Sequence, residues 1–155
     1  MKLGEALAQA SELRKEIPRL QQRISAAARY QEGGEPPEDA GILLVTVREK
    51  TAELAALVRR IHRTNAVTEI SPGRTITDAI AERDRLGLLR GVVTAAADAA
   101  GPDRYDLLRR TRSELVTKTD LPVPHLRGEA DALARDRRLL DAQIQQADWA
   151  TELLD

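Results

Sequence analysis

The chain has 155 residues, a net charge of −1 from 24 basic and 25 acidic side chains, and no cysteine. This length suits one ordinary domain, so we expect residues 1–155 to form a single helical domain. The lack of cysteine excludes disulfides, thiolate nucleophiles and cysteine-based zinc sites, and it agrees with a cytoplasmic location. Because the charges balance, only local patches can attract nucleic acid.

The composition predicts an all-α fold. Ala, Leu, Arg and Glu dominate, phenylalanine is absent, and the aromatic residues are Tyr30, Tyr105 and Trp149. Such a composition is typical of long, closely packed helices and is poor in strand-favouring side chains. No apolar run reaches the roughly 18 residues that a membrane-spanning helix needs, so no membrane partner is expected.

Apolar residues recur at alternating spacings of three and four, which is the pattern of helices that pack through coiled-coil-like seams. The pattern predicts four helices, at about 2–31, 39–69, 75–100 and 122–149. The short breaker cluster at 33–39 predicts that the second helix folds back on the first. The predicted architecture is therefore an elongated antiparallel four-helix bundle made of two long helical hairpins.

Local signals refine the helix bounds. Pro18 lies inside the first helix, where its ring and missing N–H predict a kink near 14–18 or a restart of the helix. The second helix is expected to stop at Ser71, Pro72 and Gly73.

Capping signals mark the later helix starts. Thr75 with Asp78 forms a candidate capping box for the third helix, and Asp120 with Pro122 is the expected start of the fourth. Between these helices the helical period fails, because polar and apolar residues alternate with charged ones near 103–121. That alternation predicts one short extended strand or a small β-hairpin.

The sequence carries no recognisable catalytic motif. His62 and His125 are the only histidines, and neither belongs to a Glu-x-x-His pattern of the kind that builds metal sites in helical bundles. No nucleophile elbow, phosphate-binding loop or dinucleotide fingerprint is present. We therefore expect no catalytic, cofactor-binding or metal-binding residues, and the chain is not predicted to be an enzyme.

A polar cluster is the candidate site with the most sequence support. Asn65 falls on the seam of the second helix, Arg137 on that of the fourth, and Arg83 with Asp84 lies beside that of the third. A polar group on a seam can fix helix register, reach solvent at a helix end, or contact a ligand. The full candidate set is Arg63, Asn65, Arg83, Asp84, Arg112, Glu114 and Arg137.

Two arginine clusters are candidates for contact with phosphate groups. The first is Arg59, Arg60, His62 and Arg63, and the second is Arg109, Arg110 and Arg112. Cations near a helix C-terminus are also favoured by the helix dipole alone, by about 0.3–1 kcal/mol. No aromatic residues that would stack on bases are interleaved with them. Nucleic-acid binding therefore stays open as an alternative.

The segment at 149–154 is a candidate interface. Trp149, Leu153 and Leu154 lie close together near the end of the sequence. A lone tryptophan most often anchors internal packing, and it is also enriched in the centres of protein–protein interfaces. Both readings are open from the sequence.

Several short motifs together resemble a known family. They are the opening at 1–7, Gln31-Glu32-Gly33 followed by Glu35-Pro36, Arg63-Thr64-Asn65, residues 77–81 with Arg83-Asp84, Arg104-Tyr105, Arg112-Ser113-Glu114, and the ending at 149–154. With these the chain resembles an uncharacterised family of small helical bacterial proteins that often carry the name septicolysin. Members commonly have Asn before the Trp and Thr after it, where this chain has Asp148 and Ala150.

The resemblance implies no catalytic residues, since none is established in that family. Its name implies a cytolysin, and the sequence argues against this activity. A pore-forming protein needs membrane-spanning apolar helices or alternating strands that insert as a barrel, and neither pattern is visible.

Three functions remain after this reading. The first is a non-enzymatic structural or interaction protein that assembles into a homo-oligomer through its helical seams. The second is a helical arm that binds nucleic acid. The third is a small ligand-binding or enzymatic bundle that uses Asn65, Arg83, Asp84 and Arg112.

Overall fold

A computed structural model describes residues 1–101 and 118–155. Within them lie four helices, α1 (Leu3–Ala27), α2 (Ala40–Val67), α3 (Ile76–Ala100) and α4 (Val123–Ala150). The prediction of a helical bundle fold is confirmed. The predicted strand or hairpin near 103–121 lies outside the described residues, except for 118–121, which form no strand.

The described residues divide into two compact units. The first unit contains Met1–Thr77 and Gln145–Asp155, and the second contains Asp78–Ile144. Helices α3 and α4 therefore each contribute to both units. The single domain expected from the sequence stays a prediction.

In the first unit α1 and α2 form the predicted antiparallel hairpin. The amide of Gln9 donates to Glu53 at 2.9 Å and Lys50 pairs with Glu16 at 3.3 Å, so the contacts move backwards along α2 as they move forwards along α1. Small alanines allow the two backbones to approach closely, and leucines fill the remaining space. The buried apolar residues of the pair are Leu3, Ala6, Ala10, Leu13, Leu20, Ala27, Leu43, Leu57 and Ile61.

Helix α1 runs through Pro18 without a restart. Both Pro18 and Arg14 are exposed, so water can reach the Arg14 carbonyl that lacks a backbone donor. The restart expected from the sequence does not occur, and the bend stays a prediction.

A small β-hairpin joins α2 to α3, and no hairpin was predicted at this position. Strand β1 (Glu69–Ser71) pairs antiparallel with β2 (Arg74–Thr75). Pro72 favours the first central turn position, and Gly73 adopts a φ of 73°, as the second position of a type II turn requires. Helix α2 thus ends at Val67, close to the predicted end, and the residues expected to stop it form the turn of this hairpin.

The helix starts agree only in part with the predicted caps. Helix α3 begins at Ile76, which places Thr75 and Asp78 in the predicted capping positions. Asp120 does not cap α4, because the N–H of Leu126 donates to the carbonyl of Pro122 at 3.0 Å and the helix begins there. Asp120 lies two residues too early for its carboxylate to take the N-cap position.

Helix α2 offers a test of capping in this fold. The carboxylate of Asp39 accepts the N–H groups of Gly41 at 2.8 Å and Ile42 at 3.1 Å. We expect Asp39→Ala to lower the free energy of unfolding by about 1 kcal/mol, because two N–H groups lose their acceptor. Urea denaturation measures the loss. The matched control, Asp120→Ala, should change stability little, and equal losses in the two variants would contradict the assignment.

Candidate functional site

The structure brings three residues of the predicted polar cluster together in the second unit. The guanidinium of Arg83 pairs with Asp84 at 2.9 Å and approaches Asp141 at 3.7 Å. Arg137 lies over Gly87, where an added Cβ would be 3.5 Å from its Nε. These residues and Leu88 line one shallow, open groove.

This groove is polar, but it carries no strong field of either sign. Arg83 pairs with the carboxylates of both Asp84 and Asp141, and Arg137 brings the second guanidinium, so the formal charges of these four groups balance. Arg137 is exposed, so its charge on the α4 seam reaches solvent, which is one of the three alternatives that the sequence left open. The arrangement is what solvated surface ion pairs produce, and such pairs contribute little to stability.

The other predicted members belong to the first unit or fall outside the described residues. Asn65 and Arg63 belong to the first unit, and Arg112 and Glu114 lie outside the described residues. The Oδ1 of Asn65 is shielded from water and has no hydrogen-bond partner in the part of the chain that the structure describes. Its residue as a whole is only half-buried.

Residues 151–155, here called the terminal segment, form a connected set of hydrogen bonds and ion pairs within the first unit. It lies antiparallel to the first residues of the chain, with a bridge between Lys2 and Glu152. The N–H of Leu3 donates to the carbonyl of Thr151 at 3.0 Å, and that of Leu153 donates to the carbonyl of Met1 at 2.9 Å. The two ends of the sequence are therefore joined by main-chain bonds.

The far end of the terminal segment docks on α2. The N–H of Leu154 donates to the hydroxyl of Thr64 at 3.0 Å, and the Nε of Arg60 donates to the Leu154 carbonyl at 2.9 Å. A second nitrogen of Arg60 pairs with the Asp155 carboxylate at 2.8 Å, and Arg63 donates to the Asp155 main-chain oxygen. Two arginines of the predicted nucleic-acid cluster thus hold a peptide carboxylate and carbonyls.

Arg59 and His62 are exposed on α2. The second cluster, Arg109, Arg110 and Arg112, lies outside the described residues.

Glu152 holds the near end of the terminal segment by charge. Its carboxylate pairs with Lys2 Nζ at 2.8 Å and with the Met1 amino group at 3.2 Å. Hydrogen bonds from Lys2 and from the Met1 amino group, with their positive charges, hold the pKa of Glu152 below its usual value.

The three predicted interface residues have different surroundings. The indole of Trp149 packs over Gly4, where an added Cβ would lie 2.9 Å from Cδ2, and yet 61% of Trp149 is exposed. Leu153 is buried by its own chain, whereas Leu154 remains exposed. Of the three, Leu153 is therefore not available to a partner in this arrangement.

An exposed apolar face on α3 was not predicted. Leu88 and Val92, one helical turn apart, are 76% and 67% exposed. Gly91, Ala95 and Ala99 lie on the same side by helical spacing and are exposed as well. We call these five residues the α3 face. The buried side of α3 instead holds Ile76, Ala79, Leu86 and Val93.

Two site classes have no candidate within residues 1–101 and 118–155. No group of three or more His, Cys, Asp and Glu side chains is placed to hold a metal ion there. None of the helices in those ranges is both long enough and apolar enough to cross a membrane.

Comparison with known proteins places the chain among proteins whose function is unknown. A model of a family of unknown function (DUF6847) matches residues 10–153. The crystal structure of a functionally unknown conserved protein from Corynebacterium diphtheriae is 38% identical, with a TM-score of 0.90 over 99% of each chain. Curated proteins gave no match.

The lowered pKa of Glu152 leads to a pH prediction. A carboxylate whose pKa is lower in the folded state stabilises the fold above its unfolded pKa, and this contribution disappears as the pH falls through the folded value. We expect Glu152→Gln to lower the melting temperature at pH 7, and we expect this difference from the unsubstituted protein to shrink as the pH is lowered to 3. Thermal denaturation by circular dichroism at both pH values measures this.

The control for this pH effect removes the partner charge. In a Lys2→Gln background, Glu152→Gln should lose part of its effect at pH 7, because one ion pair is already gone. If Glu152→Gln lowered the melting temperature as much at pH 3 as at pH 7, the assigned cause would be contradicted.

Proposed function

We propose that this chain, which belongs to the DUF6847 family, is a non-enzymatic interaction protein that self-associates through the α3 face. The partner is the same face of a second copy. The observation that carries the proposal is the exposure of Leu88 and Val92, at 76% and 67%, one turn apart on a regular helix.

Exposed apolar side chains are common singly, but contiguous ones have a cost in water. Burying a large aliphatic side chain is worth roughly 1.5–3 kcal/mol. Leu88 and Val92 are joined by Gly91, Ala95 and Ala99 into a continuous stripe without charge. A continuous apolar stripe of this kind is typical of an interaction surface.

A twofold antiparallel pairing gives this face good shape complementarity. If the axis passes between Gly91 and Val92, the large side chain of Leu88 lies opposite the small Ala95 of the second copy. Gly91 then lies opposite Val92, so each large side chain meets a small one. A twofold axis makes every such contact occur twice, as in most soluble homodimers.

The charges at the ends of the face favour the same arrangement. Around that axis Arg85 lies opposite Asp98 of the second copy, and both residues are exposed. A parallel pairing would instead bring like charges together. Each has a partner on its own chain as well, since Arg85 pairs with Glu82 at 2.7 Å and Asp98 with Arg127 at 3.3 Å. Exposed pairs of this kind are weak enough to share a second partner.

Other functions have less support. The nucleic-acid alternative rests on Arg59, Arg60 and Arg63, two of which bond to the terminal segment. The ligand-binding alternative rests on the open groove at Arg83 and Arg137, where the charges balance.

Three more detailed predictions from the sequence have no structural test and stay predictions. They are the cytoplasmic location, coiled-coil seams between subunits, and the likeness to proteins named septicolysin. Cytolysin activity is not part of the proposed function.

Substitution on the α3 face tests the assembly. We expect the protein to be a dimer at micromolar concentration and Leu88→Glu to be a monomer, because two charges would be buried at the pairing. Light scattering after size exclusion measures the mass. Ile42→Glu, at a 65% exposed apolar site on α2, is the control and should stay dimeric. A strict monomer for the unsubstituted protein would overturn the proposal.

Charge exchange tests the antiparallel geometry. Arg85→Glu alone or Asp98→Arg alone should weaken dimerisation by about tenfold, since like charges then meet at both symmetric positions. The double variant should recover most of the affinity, because the pair is restored with opposite sense. Analytical ultracentrifugation gives the dissociation constants. Additive losses in the double variant would exclude this pairing.

A further inference from the structure

We propose that the surface of α2 that carries Arg60, Arg63 and Thr64, together with residues 1–3, is a recognition site for an extended acidic peptide. The terminal segment occupies this site within its own chain. A partner peptide of the same chemistry, with a leucine two positions before a carboxylate, binds there by displacing that segment. This inference is independent of pairing through the α3 face.

Main-chain bonds set the conformation that the site accepts. The carbonyl of Met1 and the N–H of Leu3 bond to alternate residues of the terminal segment, as two antiparallel strands do. Addition of a strand to an existing backbone edge is a recurring mode of peptide recognition. This mode of binding uses main-chain hydrogen bonds, so a peptide from another chain can form the same bonds.

Side-chain burial sets which residue acts as the anchor. Leu153 is 8% exposed, whereas its neighbours Glu152 and Leu154 are exposed. Alternate residues of an extended peptide point to opposite sides, so one buried position flanked by two exposed ones is expected for a strand. The leucine side chain at 153 therefore supplies the apolar contact.

The fully buried hydroxyl of Thr64 binds the peptide backbone. Thr64 is 0% exposed, and its Oγ1 donates to the Arg60 carbonyl at 2.8 Å while accepting the N–H of Leu154 at 3.0 Å. Because Arg60 Nε donates to the Leu154 carbonyl, both main-chain groups of that residue are bonded. The buried Thr64 oxygen would lose the N–H group that it accepts if no peptide backbone lay there, and an unpaired buried acceptor costs free energy, so the site favours a backbone of this shape.

Two guanidinium groups set the requirement for an acid. Arg60 holds the Asp155 carboxylate at 2.8 Å, and Arg63 holds its main-chain oxygen. Charge-assisted bonds of this kind are about twice as strong as neutral ones. Without the terminal segment two cations and a buried hydroxyl would face water together, which suits an acidic peptide.

The terminal segment is suited to exchange. It follows the end of α4 at Ala150, and its last residues are held on α2 through arginine and carboxylate groups that water can reach. Segments with few buried apolar contacts open at a small fraction of the global free energy of unfolding. An intramolecular ligand of this kind competes with a partner through its high effective concentration.

The test uses the full chain with its own segment disabled by Leu153→Ser and Asp155→Lys. The probe is a fluorescein-labelled peptide, Thr-Glu-Leu-Leu-Asp, and fluorescence anisotropy measures its binding. We expect saturable binding to this variant and at least tenfold weaker binding to the unsubstituted protein. A peptide with Lys in place of the final Asp should bind at least tenfold more weakly.

A second substitution separates recognition from unspecific attraction. In the disabled background Thr64→Val should weaken peptide binding about tenfold, whereas Thr51→Val should have no effect. The Thr51 hydroxyl bonds only carbonyls of its own helix, at 2.8 and 2.9 Å, and is exposed. If the double variant does not fold, Asp155→Lys alone replaces it. No saturable binding to a folded variant, or binding unchanged by Thr64→Val, would overturn the proposal.

Discussion

The antiparallel contact between the two ends of the sequence is the constraint on which the placement of the terminal segment and of Trp149 depends. The amino group of Met1 and the carboxylate of Glu152 are 151 positions apart, and they meet beside two main-chain hydrogen bonds. Closing so long a loop carries an entropic cost that grows only slowly with length, so a few good bonds and one buried leucine can offset much of it. The position of Trp149 over Gly4 and the docking on α2 both follow from this closure.

Local periodicity explains which features the sequence could predict. The four helix bounds follow from apolar spacing over about seven turns each, a signal that a few exceptions do not destroy. The hairpin at 69–75 escaped detection because strands of three and two residues carry no period. Its turn residues, Pro72 and Gly73, fit a helix stop as well as a hairpin turn, and only the pairing across them distinguishes the two.

The candidate sites were predictable to a smaller extent, for a related reason. Arg83, Asp84 and Arg137 line one groove, because helical spacing places them near facing seams. The contact of Thr64 with Leu154 joins residues 90 positions apart, and no local pattern reports such a pair. On α3 a stripe of Ala, Gly and isolated aliphatic residues fits either side of the helix, so the sequence alone did not reveal that Leu88 faces water.

The placement of Trp149 gives the protein an intrinsic optical reporter. It is the only tryptophan in the sequence, and its ring lies against Gly4, where the two ends of the chain meet. Its emission therefore responds to separation of those ends, whereas far-ultraviolet circular dichroism responds to all the helices at once. Comparing the two signals during denaturation distinguishes opening of the chain ends from loss of the helices, with no label attached.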